Sequence, residues 1–144
     1  MEIGNHKNLG KDIQVSGHNI VPYLANLTKY MVENGLEANP LPKVVISSDT
    51  QYANEPFGKT AYYDPQNKVV TLFVAGRHIK DVLRSFAHEM IHHSQFLTGM
   101  FDESHLGALE DPRYAENDKH MMNMEKDAYL RGNMFFRTWE DSFK

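Results

Sequence analysis

Between Gly76 and Gly99 the apolar residues fall at Ile79, Val82, Leu83, Phe86, Ala87, Met90 and Ile91, the spacing of one face of an α-helix. So regular a stripe has to be buried, which predicts a helix over residues 78 to 97 that packs on a core and stops near Gly99. The rest of the chain must supply the surface that covers it.

Upstream the pattern changes to that of strands. Lys43-Val44-Val45-Ile46-Ser47 is a β-branched run, and residues 59 to 63 and 68 to 74 flank Asp64-Pro65-Gln66-Asn67, whose Asp and Pro favour a turn. A small, mainly antiparallel sheet is expected. Residues 19 to 34 carry Ile20, Tyr23, Leu24, Leu27, Tyr30 and Met31 at helical spacing and end before Gly35, which predicts a first helix. A last helix is predicted over residues 116 to 139, with Met121, Met124, Ala128, Leu130, Met134, Phe135 and Phe136 as candidate buried positions and Gly132 as a local weakness. Residues 101 to 114 are acidic and contain Gly107 and Pro112, so they read as a loop or lid. The polar segment from residue 1 to about 15 is expected to be poorly ordered. The order of elements predicts an α+β fold formed by residues 1 to 144 as a single domain, the usual size for 144 residues.

Composition narrows the chemistry. The chain has no cysteine, so a disulfide framework and a thiolate metal site are both excluded, and any metal must be held by His, Asp or Glu. The formal charge of −4, with lysines and arginines scattered, offers no basic patch for a phosphate backbone, and nucleic acid is not an expected partner. No apolar run approaches the roughly 20 residues that span a bilayer. The N-terminal residues lack the basic and apolar regions of a secretory leader, so a cytoplasmic location is expected.

His88-Glu89-Met90-Ile91-His92 lies within the apolar stripe's helix. Two histidines four residues apart project from the same face and can close on one ion, with Glu89 about 100° round the helix. Zinc accepts imidazole nitrogen and carboxylate oxygen in a tetrahedral shell, and a catalytic site leaves one position for water. In the H-E-x-x-H pattern the Glu is the base that takes a proton from that water. The competing reading is a His-rich solvated face with an inert Glu89.

A third protein ligand is needed. The extended pattern H-E-x-x-H-x-x-G-x-x-H fails, because Gln95 and Thr98 stand where Gly and His are required. The remaining option is a carboxylate from a later helix, and Glu125 in Met124-Glu125-Lys126-Asp127-Ala128-Tyr129 is the best candidate, with Ala128 small enough for two helices to approach.

H-E-x-x-H followed by a separate helix bearing E-x-x-A resembles the gluzincin branch of the zincin metallopeptidases, especially its compact intracellular members. Residues 76 to 89, Gly-Arg-His-Ile-Lys-Asp-Val-Leu-Arg-Ser-Phe-Ala-His-Glu, are similar to stretches in short peptidases encoded by tailed bacteriophages, and the resemblance spans about residues 58 to 138. It implies a minimal zincin-like fold and a zinc-dependent metallopeptidase acting on protein or peptide substrates, an endopeptidase rather than an exopeptidase. It also implies a host-cytoplasmic or virion setting. His88, His92 and Glu125 would hold zinc and Glu89 would be the general base. The resemblance further implies that the strand over residues 69 to 74 lies along the cleft with an edge free to pair with substrate. The chain departs from the pattern at Tyr129, where many gluzincins have an Asp that orients a ligating His. Asp127 could take over that orienting role or be the third ligand itself.

Two other functions remain open at this level: a catalytically silent zinc-stabilised binding or virion-associated module, and a zinc hydrolase of a non-peptide amide. His93 points away from the motif face and is expected at the surface or behind a ligand. His105, His120, Tyr114, Tyr129 and Arg131 are oxyanion-stabiliser candidates, with ordinary surface roles preferred.

Overall fold

In the computed structural model, which describes residues 1–5, 13–48, 60–100 and 119–143, the chain opens with a strand where its polar composition predicts none. Ile3–Asn5 (β1) runs parallel to Lys43–Ser47 and is joined to it where the Val44 N–H donates to the Glu2 carbonyl at 2.8 Å. Strand pairing is made by the backbone, and Ile3 adds a buried side chain to it. The expectation of an unordered N-terminus is corrected for this strand, and for Ile13 and Val15, which join the core; residues 6–12 lie outside the described residues.

Gln14–Val15 (β2) and His18–Asn19 (β3) form a two-stranded hairpin whose turn residues, Ser16 and Gly17, both have positive φ, as tight hairpin turns require. Asn19 then caps Ile20–Glu33 (α1), its Oδ1 accepting from the Val21 N–H, and the helix ends at Asn34 before Gly35 in the left-handed region. The predicted range of 19 to 34 is matched at both ends.

The main sheet adds Lys43–Ser47 (β4), Ala61–Asp64 (β5) and Val69–Phe73 (β6) to β1, in the order β1-β4-β6-β5. The expected strands are all present, but the sheet is mixed rather than mainly antiparallel: β1–β4 and β4–β6 are parallel, and only the β5–β6 hairpin is antiparallel. The reason is topological. A helix between β1 and β4 returns the chain to the same end of the sheet, and β5 passes to the outside before β6 returns beside β4. β6 is therefore bonded on both sides, which corrects the expectation that residues 69 to 74 offer a free edge; the outer strands are β1 and β5.

Ile79–Leu97 (α2) is the stripe helix, with His78 as its cap, and it begins where the Ile79 N–H donates to Ser16 Oγ at 3.0 Å. Arg77 fastens this start to the sheet by donating to the Thr60 and Phe73 carbonyls, the Asp81 carbonyl and Ser85 Oγ. Lys119–Asp141 (α3) packs chiefly against α2 and buries Met121, Met124, Ala128, Gly132, Phe135, Phe136 and Trp139, the last of which donates to Asn26 of α1. Leu130 and Met134, expected in the core, are 68% and 50% exposed. Each lies two residues past a buried position, about 200° round the helix. The predicted loop over residues 101 to 114 and the first residues of the last predicted helix lie outside the described residues. Among the described residues no helix is long and apolar enough to cross a membrane.

Candidate metal centre

The α2 stripe buries Phe86, Ala87, Met90 and Ile91, and this sets the rotation of the helix so that His88 and His92 emerge together along its margin with α3. There α3 comes very close. A Cβ on Gly132 would stand 2.9 Å from His88 Cα and 3.0 Å from His88 N, backbone atoms that no rotamer change can move. Ala128, one turn earlier, is fully buried in the same contact. Gly132, which looks like a weak point in a helix, is thus what lets α3 reach the first histidine.

A Gly132→Ala variant is expected to lose stability despite a helix-propensity gain of about 1 kcal/mol, because backbone overpacking costs about 1–3 kcal/mol. The displacement falls at His88, so metal affinity should fall with it. Urea unfolding and metal titration check both; a variant as stable and as metal-avid as the parent would contradict the close approach.

That approach brings Glu125 of α3 to both rings. Its Oε1 lies 2.7 Å from His88 Nε2 and its Oε2 3.1 Å from His92 Nε2, and the three ligand atoms are all within 4.8 Å of one another. The histidine rings are 5.0 Å apart at 74°. Each Nε2 can face the carboxylate either as an N–H donor or as a lone pair, and with both lone pairs free the two nitrogens and the carboxylate are three converging ligand atoms for a cation. His88, His92 and Glu125 form a group able to hold a metal ion. No protein-family model, curated protein or solved structure matches the chain.

The electrostatics of the metal centre agree with its geometry. Burial acts to raise the Glu125 carboxyl, but hydrogen bonds and charge from His88 and His92 outweigh it and hold the group well below the usual carboxylate range. Burial acts to lower His92, and Glu125, Glu89 and Gln95 overcome it, so His92 is raised. Glu89 is different. It is only 8% exposed, and among the described residues its carboxylate has no hydrogen-bond partner. Burial pushes it above the usual carboxylate range, against the opposing pull of His92 and His88.

Asp127, the alternative third ligand, is occupied elsewhere. Its carboxylate accepts from Gln95 Nε2 at 2.8 Å and from Arg131 at 2.8 and 2.7 Å. Arg131, an oxyanion candidate, is thereby paired along its own helix. Tyr129 stands edge-on to His88 with ring centroids 6.5 Å apart. The exposed His120 contacts the Met100 carbonyl at 2.7 Å; His105 and Tyr114 lie outside the described residues.

His93 is neither at the surface nor behind a ligand. It is fully buried, its Nε2 donating to the Pro40 carbonyl and its Nδ1 accepting from the Tyr63 hydroxyl, both at 2.7 Å. Burial lowers its pKa, as suits a neutral ring pinning α2 to β5 and the Pro40 segment. Sequence reasoning missed Gln95, whose Oε1 lies 2.9 Å from His92 Nδ1. The available signal was its position three residues after His92, on the same helical face.

Proposed function

We propose that the chain is a zinc-dependent metallopeptidase in which His88, His92 and Glu125 hold the ion and Glu89 is the general base. The observation that carries this reading is Glu89: a buried carboxylate without a hydrogen-bond partner among the described residues, one position from a metal ligand and coupled by charge to all three. A site that only stabilised the fold would have no use for it, because an unpaired buried carboxylate costs stability. The resemblance of the two helical motifs to compact gluzincins favours zinc over other ions and peptide bonds over other amides.

Zinc bound there supplies a Lewis acid that polarises a carbonyl and makes water easier to deprotonate. Glu89 takes the proton as the water oxygen bonds to the scissile carbon. It then delivers that proton to the amide nitrogen as the C–N bond breaks, so the products are a carboxylic acid and an amine. Burial keeps Glu89 from being fully satisfied by solvent and leaves its lone pairs free for this transfer. Glu125 is the more open side of the centre, its side chain 34% exposed against 4% for His92, and substrate is expected to enter from there.

Metal analysis and a peptide-library digest test the proposal. The purified protein should contain one zinc and cleave peptides, lose cleavage on chelation and regain it when zinc is restored. A protein that binds no zinc, or that carries zinc and cleaves nothing in the library, would overturn it.

A further inference from the structure

Gln95 is wholly buried between α2 and α3, where an apolar residue would serve packing equally well. Its amide instead makes three hydrogen bonds, and their chemistry allows only one orientation. The Met124 carbonyl at 3.0 Å and the Asp127 carboxylate at 2.8 Å can only accept, so the NH2 group faces them. The atom 2.9 Å from His92 Nδ1 is then the Gln95 oxygen, and that ring nitrogen must carry a hydrogen to donate to it. The opposite nitrogen, Nε2, is the one that faces Glu125.

The bonds continue outward. Arg131 grips Asp127 with two of its nitrogens, which holds the carboxylate where Gln95 needs it. Met124 is the residue before Glu125, so the same amide ties a ligand of α2 to the α3 backbone beside the third ligand.

We propose that Gln95 is a positioning residue of the metal centre: anchored by Asp127 and the Met124 carbonyl, it holds His92 in the Nδ1-protonated tautomer whose Nε2 lone pair turns toward the ion. This rests on the reading of His88, His92 and Glu125 as metal ligands. An outer partner of this kind fixes both the ring's rotation and which nitrogen binds.

The test compares wild type, Gln95→Met, Asp127→Asn and Asp127→Leu. Zinc affinity is measured by competition with a chromophoric chelator, and the fold is followed by circular dichroism. Long-range 1H–15N spectra of the zinc-loaded proteins report which His92 nitrogen carries hydrogen. Gln95→Met conserves volume and should keep the fold, but lose about 10–100-fold in zinc affinity and shift the His92 Nδ1 resonance, whose N–H no longer donates to an amide oxygen. Asp127→Asn still offers Gln95 an acceptor and should stay within about threefold of wild type, whereas Asp127→Leu should fall toward Gln95→Met.

Gln95→Met within about twofold of wild type, with an unchanged His92 spectrum, overturns the inference, since an orienting partner is worth far more. Should that variant fail to fold, equal affinities for Asp127→Asn and Asp127→Leu overturn it instead. A wild-type protein that binds no zinc removes this inference and the peptidase reading together. Affinities in the expected order without peptide cleavage uphold the inference and remove only the peptidase reading.

Discussion

Glu89→Gln is expected to bind zinc as wild type does and to lose about 10²–10⁴-fold in peptide hydrolysis, the usual contribution of a positioned general base. The amide has the shape of the carboxylate and cannot take a proton. It should not unfold the protein. Burial already disfavours the charge on Glu89, and among the described residues no hydrogen bond would be lost, so the variant should be at least as stable as the parent. Parallel measurement of zinc content, thermal unfolding and turnover separates the effects. Undiminished turnover would place the base elsewhere; lost zinc would mean that Glu89 supports the ligands rather than the reaction.

Glu125→Ala is expected to weaken zinc binding by more than the about 100-fold that marks the loss of an outer partner, because it removes a ligand outright. Among the described residues Glu125 is the carboxylate that touches both rings, at 2.7 and 3.1 Å, so the variant removes that charge from His88 and His92 together. Asp127→Ala is expected to do less, since among the described residues Asp127 hydrogen-bonds to Gln95 and Arg131 rather than to either ring. Zinc titration of both variants decides between the two carboxylates. If only Asp127→Ala loses the metal, Glu125 is not the third ligand.

These two carboxylates mark how far the sequence could be read. Both lie on α3, two positions apart, and an Asp is an acceptable zinc ligand, so residue type alone left both open. Two positions on a helix are about 200° apart, and the rotation of α3 against α2 selects Glu125. That rotation is set by Gly132 against the His88 backbone and by Ala128 below it, contacts between residues far apart in the chain. Gln95 stayed unread for the same reason: its role depends on Met124 and Asp127, which reach it from the other helix. His93 was misplaced because Tyr63 and Pro40, which cover it, come from other parts of the chain.

Strands followed the same division. The runs over β4 and β6 and the turn after Asp64 carry their own local signals, and all were placed correctly. Their directions were not, because parallel pairing is decided by how the chain returns, through α1 for β4 and around β5 for β6. β1 carries too short a signal to be seen until β4 is there to pair with it.

By itself the sequence determined what one helical turn can hold: the buried stripe from Ile79 to Ile91, and with it the pairing of His88 and His92 on one face with Glu89 beside them. Those relations follow from 3.6 residues per turn and need no partner. Only the tertiary structure decided which carboxylate completes the group, which side chain meets His92 Nδ1 and which strands lie at the edges of the sheet. Each of these depends on how closely, and at what rotation, separate elements pack, and at this centre a single missing Cβ at Gly132 sets that distance.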